Sequence, residues 1–497
     1  MSPATTKITL PNGTSYEQPT GLFINNEFVS GSSKNKIEVT DPNTGKSIIE
    51  VEAASVEDVD RAVAAARAAF EGDWSSVPAI QRGALLYKLA DLVARDRELL
   101  AAIDAFDNGK PYGDALAVDL DEAINVFRYY AGWADKIFGK TIETSPEKLA
   151  YILQEPLGVC AQIIPWNFPM MILAWKVAPA IACGNSVIVK PAEQTPLSAL
   201  YFGKLVQEAE APAGLINILP GHGGEAGAAL AGHLDVDKVS FTGSTATGRN
   251  IMRAASSNLK NVTLECGGKS PLIVFADANL EQAVKWSHVG GLFNQGEVCT
   301  STSRIYVEDS IYDKFVELFV KEVKAASKVG APFDDGTFQG PQVSRAQFDK
   351  VMKYIDIGKQ EGAKVEMGGS KVEGDGYFIQ PTIFTNVEEG MKIMTEEIFG
   401  PVVAIGRFTD EKDAIRKANN SSYGLAAAVF TENMRKGHKV AAKLAAGMVW
   451  INSSGDSHFG IPFGGYKSSG IGKDLGPYAL DSYTQAKAVH VNLGVDL

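Results

Sequence analysis

The chain reads as an α/β protein carrying two doubly wound parallel sheets, and three features predict that class. Short apolar runs alternate with helical stretches from about residue 158, the alternation restarts after residue 265, and glycine-rich turns stand where runs hand over to helices. Strands buried on both faces read as continuous apolar runs, which is the pattern here.

The N-terminal region precedes that alternation. Residues 1–20 carry neither an apolar signal core nor the arginines of a mitochondrial presequence, so they read as a loose polar lead-in. Stretches 23–29 and 37–42 alternate like short strands. Ser55, with Asp58 three residues on, predicts a helix start ahead of Val59, Ala62, Val63, Ala66 and Phe70, and leucines from Leu85 to Leu100 extend the helical region. Strands are then expected over 159–164, 186–189, 215–219, 239–241 and 262–264, separated by helices over 169–183, 195–209, 223–232 and 244–256. The second series places strands over 272–275, 303–307, 377–381, 402–408 and 449–452, with helices over 280–293 and 310–327. Residues 481–493 end in an alternation like an unpaired strand, an edge that invites pairing with another chain.

Composition excludes several classes. A length of 497 residues exceeds one core and suggests two or three domains. With 45% apolar and 21% charged residues the chain is ordinary globular protein, and no apolar run approaches the roughly 18 residues of a membrane helix. A net charge of −12 without a basic run argues against a nucleic-acid partner. Four cysteines without a C-x-x-C pair or accompanying histidine spacing speak against a disulfide framework or a metal site, and for a reducing, cytoplasmic setting.

The turns at the strand ends suggest a dinucleotide, because parallel sheets bind ligands at the carboxyl ends of their strands. Gly221 to Ala226 fits G-x-G-x-x-A between a strand and a helix, though a tight turn explains it equally. Gly243 to Gly248 repeats that context but lacks the Lys-Ser/Thr of an ATP loop, having Arg249 and Asn250 there. What remains is a helix N-terminus offering backbone N–H groups to a pyrophosphate. Lys190, Pro191, Ala192 and Glu193 close another strand; a strand-end acid can bind ribose hydroxyls and repel a 2′-phosphate, or be one half of a surface ion pair.

Two residues suggest covalent chemistry. Cys299 lies in a polar loop, among Gln295, Glu297, Thr300, Ser301 and Thr302, where a core cysteine is out of place. Glu265 closes the apolar alternation of Val262 and Leu264 ahead of Gly267 and Gly268; taken alone it is equally a solvated strand-end acid. A thiolate can attack an electrophilic carbon, and a carboxylate can activate the water that releases the product.

Leu264-Glu265-Cys266-Gly267-Gly268-Lys269-Ser270-Pro271 and Phe293-Asn294-Gln295-Gly296-Glu297-Val298-Cys299 resemble the paired active-site signatures of the NAD(P)-dependent aldehyde dehydrogenase superfamily, close to its fungal and class 1/2 members. Pro165 to Pro169, Phe241 to Thr245, Glu397 to Pro401 and Pro462 to Gly465 fall in the family's order. The resemblance implies two Rossmann-like domains, one for the cofactor over 1–134 and 157–264 and one for catalysis over 265–479. A small β element over 135–156 and 480–497 would build a homodimer or homotetramer. It implies Cys299 as nucleophile, Glu265 as base and Asn167, otherwise a turn residue, as an oxyanion donor. NAD, preferred over NADP through Glu193, would lie against Ile163, Ile164, Pro165, Trp166, Lys190, Pro191, Ala192, Gly223, Gly227, Phe241, Thr242, Gly243, Ser244, Gly267, Glu397 and Phe399. No metal is implied.

Phe168, Ile172, Trp175, Phe293, Val298, Thr300, Ser457 and Phe463, with residues 453–456, match the family's substrate tunnel. The implied reaction takes an aldehyde through a thioester to the acid. A medium-chain or aromatic aldehyde is expected, with an aminoaldehyde or semialdehyde as the alternative should Asp456 face the tunnel. Two positions depart from the family pattern, Glu297 for a common glutamine and Ser301 for a small residue; Glu297 would raise the thiol pKa if it pointed inward. A cysteine hydrolase would need a histidine partner, and His288 is the nearest in sequence.

Overall fold

The computed structural model describes residues 5–494. Its largest sheet has eight strands in the order Gly470–Ile471, Asn261–Glu265, Lys238–Thr242, Val159–Ile163, Ser186–Lys190, Ile216–Ile218, Leu22–Ile24 and Glu27–Val29. The five strands from Asn261–Glu265 to Ile216–Ile218 run parallel, and the outer pairings are antiparallel. Period two explains why successive residues in the middle of the central runs are apolar on both faces. Cys160, Val187 and Val189 pack into a core with the helix Pro169–Ala182, whereas Val159, Ala161 and Ile188 face the opposite core with Val59, Ala62, Val63 and Ala66 of the helix Val56–Glu71. That second helix begins at a capping box made by Ser55 and Asp58, an arrangement worth about 1 kcal/mol.

Chain order through this sheet places the site. From Val159–Ile163 the chain steps through Ser186–Lys190 to Ile216–Ile218 on one side, then returns to lay Lys238–Thr242 and Asn261–Glu265 on the other. The order reverses between Val159–Ile163 and Lys238–Thr242, so the loops leaving their carboxyl ends part and open a crevice.

A second sheet of seven strands is ordered Lys364–Met367, Thr382–Thr385, Val402–Phe408, Arg304–Glu308, Pro271–Val274, Ala426–Phe430 and Met448–Ile451, parallel except for its first pair. A third, antiparallel sheet joins Thr484–Asn492, Lys148–Pro156 and Lys140–Ser145. The α/β class with two parallel sheets is thus the one the sequence predicts.

Several elements differ from expectation. The polar lead-in is a hairpin, Thr5–Thr9 on Ser15–Pro19, turned at Gly13 with φ 85° and tied to the helix Leu197–Glu208 by Gln18 Nε2 donating to the Leu197 carbonyl at 3.2 Å. The tail is not unpaired, since Thr484–Asn492 pairs along nine residues with Lys148–Pro156. The strand expected over 377–381 falls at Thr382–Thr385, beyond Pro381, which has no N–H to donate. Residues 265–479 are not confined to the second sheet, because Gly470–Ile471 edges the first. The ends of the 1–134 and 480–497 ranges, residues 1–4 and 495–497, lie outside the described residues. No described helix is long and apolar enough to cross a membrane.

Candidate active site

Glu265 ends its strand beside Thr242 in parallel register, with Gly470 on its other flank. The chain then turns through Gly267 and Gly268, where side chains would collide with the Glu397 carboxylate and the Cys299 carbonyl respectively; the glycine pair lets the thiol loop approach the strand end. Glu265 is 3% exposed, and neither carboxyl oxygen has a hydrogen-bond partner among the described residues. Burial, then the charge of Asp474, holds its carboxyl well above the usual range, with Lys176 and Lys473 pulling the other way. Asp474 is itself paired with the buried Lys176 at 2.9 Å.

Cys299 follows a strained turn. Asn294 and Gln295 adopt φ of 50° and 57° and Gly296 φ of 70°, a left-handed run that costs energy at the two non-glycine positions. Hydrogen bonds hold it: Asn294 Nδ2 donates to the Asn167 carbonyl (3.2 Å), and Asn167 Nδ2 donates to the Glu297 carbonyl (2.9 Å). Cys299 is half-buried, and burial, followed by the charges of Glu265 and Glu397, pushes its thiol up. Glu297 is not among these causes; its side chain turns away and accepts the Val343 N–H at 3.1 Å. Ser301 Oγ donates to the Gly291 carbonyl at 3.2 Å.

Two cavities meet at these groups. The first, of about 320 Å³, is lined by all eight residues matched to the tunnel, Phe168, Ile172, Trp175, Phe293, Val298, Thr300, Ser457 and Phe463. Trp175 and Phe463 form an edge-on pair with centroids 4.9 Å apart. Gly455 joins them. Ser453, Ser454 and Asp456 do not line the cavity: Ser454 is buried on Thr302 (3.0 Å), and the Asp456 carbonyl accepts the Trp450 indole N–H (2.7 Å). Sequence reasoning missed Ala117 and Val118 of the π-helical turn Ala115–Leu120, and Asp121, Glu122 and Asn125 of the helix Asp121–Trp133.

The second cavity, of about 170 Å³, is lined by Pro165, Trp166, Asn167, Thr242, Gly243, Ser244, Gly267, Glu397 and Phe399, together with Gln347 and Lys350, which the sequence did not single out. Phe399 stands edge-on to Trp166 at 5.2 Å. Cys299, Glu265 and Thr242 line both cavities. The remaining expected cofactor residues lie outside that cavity, at or after the ends of neighbouring strands. Ile164 donates its N–H to the Lys190 carbonyl (3.0 Å), Lys190 Nζ donates to the Pro191 carbonyl (2.8 Å), and Glu193 Oε1 accepts the Gly223 N–H (2.5 Å). Gly227 lies within ordinary contact of the Lys190 side chain; Ile163, Ala192 and Phe241 are buried. These residues fit an extended dinucleotide: Thr242 Oγ1 is buried without a partner among the described residues, and Ser244 caps an eleven-residue helix at the crevice.

His288 is elsewhere. It bonds Ser327 Oγ at 2.7 Å, stacks on Phe338, has its pKa pushed down to about 4 by burial, and lines neither cavity. Among the described residues no histidine lines either cavity to serve the thiol as the base a cysteine hydrolase requires.

Comparison with known proteins agrees with this geometry. The model of the aldehyde dehydrogenase family matches residues 28–489. An aldehyde dehydrogenase of Emericella nidulans is 56% identical over 480 residues, 96% of each chain. The structure of an aldehyde dehydrogenase from Bacillus cereus in complex with NAD+ superposes with a TM-score of 0.94 at 49% identity, covering 96% of this chain and 97% of that one. That of a betaine aldehyde dehydrogenase from Staphylococcus aureus, also with NAD+, superposes with a TM-score of 0.95 at 42% identity over 97% and 96%. With a match of that extent, and with the thiol and carboxylate both on the wall between two cavities, the chain belongs to the aldehyde dehydrogenase family.

Proposed function

We propose that this aldehyde dehydrogenase oxidises medium-chain or aromatic aldehydes with NAD, with Cys299 as nucleophile, Glu265 as general base and Asn167 as oxyanion donor. The observation that carries this reading is the shared wall: Cys299 and Glu265 face an aromatic cavity on one side and a polar, glycine-lined cavity on the other. Once the Cys299 thiol has given its proton to solvent, the thiolate sulfur bonds the aldehyde carbon, the carbonyl π bond breaks and its oxygen becomes an alkoxide. The Asn167 amide and the Cys299 backbone N–H donate to it, each such donor being worth about 3 kcal/mol. When bound, the nicotinamide supplies the hydride acceptor, and Glu397 and Phe399 position it. The acyl group is left as a thioester on Cys299. Glu265 then takes a proton from water, the hydroxide oxygen adds to the thioester carbon, and the acid leaves as the C–S bond breaks. A carboxyl held above its usual pKa by burial is a stronger base for that step.

NAD is supported over NADP by Glu193, whose carboxylate beside Gly223 suits a ribose diol and repels a 2′-phosphate. The Bacillus cereus and Staphylococcus aureus relatives were both solved with NAD+. The substrate class rests on the aromatic wall and on a lining that includes no lysine or arginine to grip a phosphate or second carboxylate. A second reading, an aminoaldehyde, is favoured by one observation. Glu122 lines the same cavity with Oε1 buried and without a partner among the described residues, where an ammonium group would pair with it. NADH formation over a panel of phenylacetaldehyde, indole-3-acetaldehyde, acetaldehyde and 3-aminopropionaldehyde decides. The first two lead in kcat/KM under the aromatic reading and the last under the second; a large lead for acetaldehyde sinks both.

The three-stranded sheet supports a homodimer or homotetramer, because it exposes Ile142, Leu149 and Leu153 and leaves its two outer strands, Thr484–Asn492 and Lys140–Ser145, each open along one edge. Sedimentation of a monomer at micromolar concentration would count against it.

A further inference from the structure

Glu297 stands where the family signature commonly has glutamine, two residues before the nucleophile. It is 0% exposed and lines neither cavity. Its backbone carbonyl accepts Asn167 Nδ2 (2.9 Å) and Asn294 Nδ2 (3.3 Å), while its side chain accepts the Val343 N–H through Oε1. The residue thus joins the oxyanion amide, the strained turn and the segment 339–343.

The hydrogen-bond inventory around that side chain does not suit a carboxylate. Gln295 Oε1 takes the Gly340 N–H, Gln342 Nε2 donates to the Gln295 carbonyl, and Gln339 Nε2 donates to the Ile379 carbonyl. Three oxygens, Glu297 Oε2, Gln339 Oε1 and Gln342 Oε1, lack a well-aligned partner among the described residues, and the one donor left for them is the Gln295 side-chain amide, which lies close enough to Glu297 to pull its carboxyl down against the effect of burial. A proton on Glu297 turns one of the three acceptors into a donor and evens the inventory. The cations that act on Glu297 do so through space: Lys110 is paired with the buried Asp119 and lies over the Phe168 ring, and Lys350 lines the polar cavity.

We propose that Glu297 is a positioning residue that works as a neutral carboxylic acid, clamping the nucleophile loop to residues 339–343 and so holding the Asn167 amide beside Cys299. Burial, which raises its carboxyl well above the usual range, agrees with this. The proposal rests on the catalytic reading of Cys299 and Asn167, yet its main test does not need turnover.

An unfolded glutamate ionises near pH 4.3, whereas the folded Glu297 keeps its proton well above that. Between the two values folding takes up a proton, so this residue's contribution to stability falls as pH rises. Glutamine mimics the neutral acid without that linkage. The Tm of Glu297→Gln is therefore expected to exceed wild type by a margin that grows between about pH 5 and 8, to on the order of a few degrees. A variant that is less stable, most of all at neutral pH, or a difference that stays flat, overturns the proposal in favour of an ionised Glu297. Infrared difference spectra of wild type against Glu297→Gln at neutral pH give a second readout: a protonated-carboxyl band is expected, and its absence overturns the idea. Glu297→Ala is expected to lower kcat about tenfold or more, with glutamine at the position restoring it; an alanine variant as active as wild type removes the positioning role. If instead Cys299→Ala retained full turnover, the catalytic reading would fail while the thermal and infrared results stood.

Discussion

The two cavities that meet at Cys299 are built from opposite materials. The tunnel takes most of its wall from side chains on helices, Ile172 and Trp175 among them, and from Phe293 and Phe463; the second cavity takes much of its wall from strand-end loops with Gly243 and Gly267, joined by Trp166, Phe399 and the Gln347 and Lys350 side chains. One side recognises by apolar shape, the other by hydrogen bonds and close backbone approach. The difference teaches that chemistry need be present only on the wall they share, and that each side can be altered without the other.

The largest test removes the thiol proposed as nucleophile on the shared wall. Cys299→Ala is expected to cut NADH formation by at least about 10⁴-fold, while calorimetry still detects NAD and aldehyde binding. Turnover near wild type would dissolve the division. Glu265→Gln should cost about 10² to 10⁴-fold in steady state yet keep a first-turnover burst of NADH, since the thioester forms and is not hydrolysed. With the Glu265 carboxylate as the proposed base and burial raising its pKa, wild-type turnover should climb as pH rises; the glutamine variant should lose that dependence. Next in size is an aromatic-side change: Phe463→Ala is expected to raise KM for phenylacetaldehyde about tenfold and leave the KM for NAD unmoved. Smallest is Glu193→Gln, which should narrow the ratio of NAD to NADP efficiency several-fold, about 1 kcal/mol, with aldehyde KM unchanged. If either of the last two crossed over to the other ligand, the cavities would be coupled rather than separable.

Much of this was legible because central strands buried on both faces write themselves as short apolar runs, as in Val187, Ile188 and Val189 of Ser186–Lys190. The strand Ala426–Phe430 escaped because its three alanines carry no β signal, and the hairpin Thr5–Thr9 with Ser15–Pro19 because a two-stranded ribbon stays largely polar. At the site, Glu265 and Cys299 stood out as reactive groups in unsuited surroundings. Ala117, Val118 and Glu122 did not, since they read as one more helical face and reach the tunnel only through folding. Lys350 and Gln347 sit on an ordinary amphipathic helix, Arg345–Gln360, that turns one edge toward the polar cavity. The acid that the sequence places at Asp456 is supplied by another element, at Glu122.

The edge strand Gly470–Ile471 and the ion pair of Lys176 with Asp474 complete the nucleotide-side sheet with residues that follow every expected dinucleotide contact along the chain. On the ribosome, therefore, the first half of the polypeptide emerges with Glu265's strand still uncovered on one side and Lys176 without its counter-charge. A nonsense codon just ahead of Gly470 would leave every expected dinucleotide contact encoded and still yield a protein whose Glu265 strand lacks its outer neighbour.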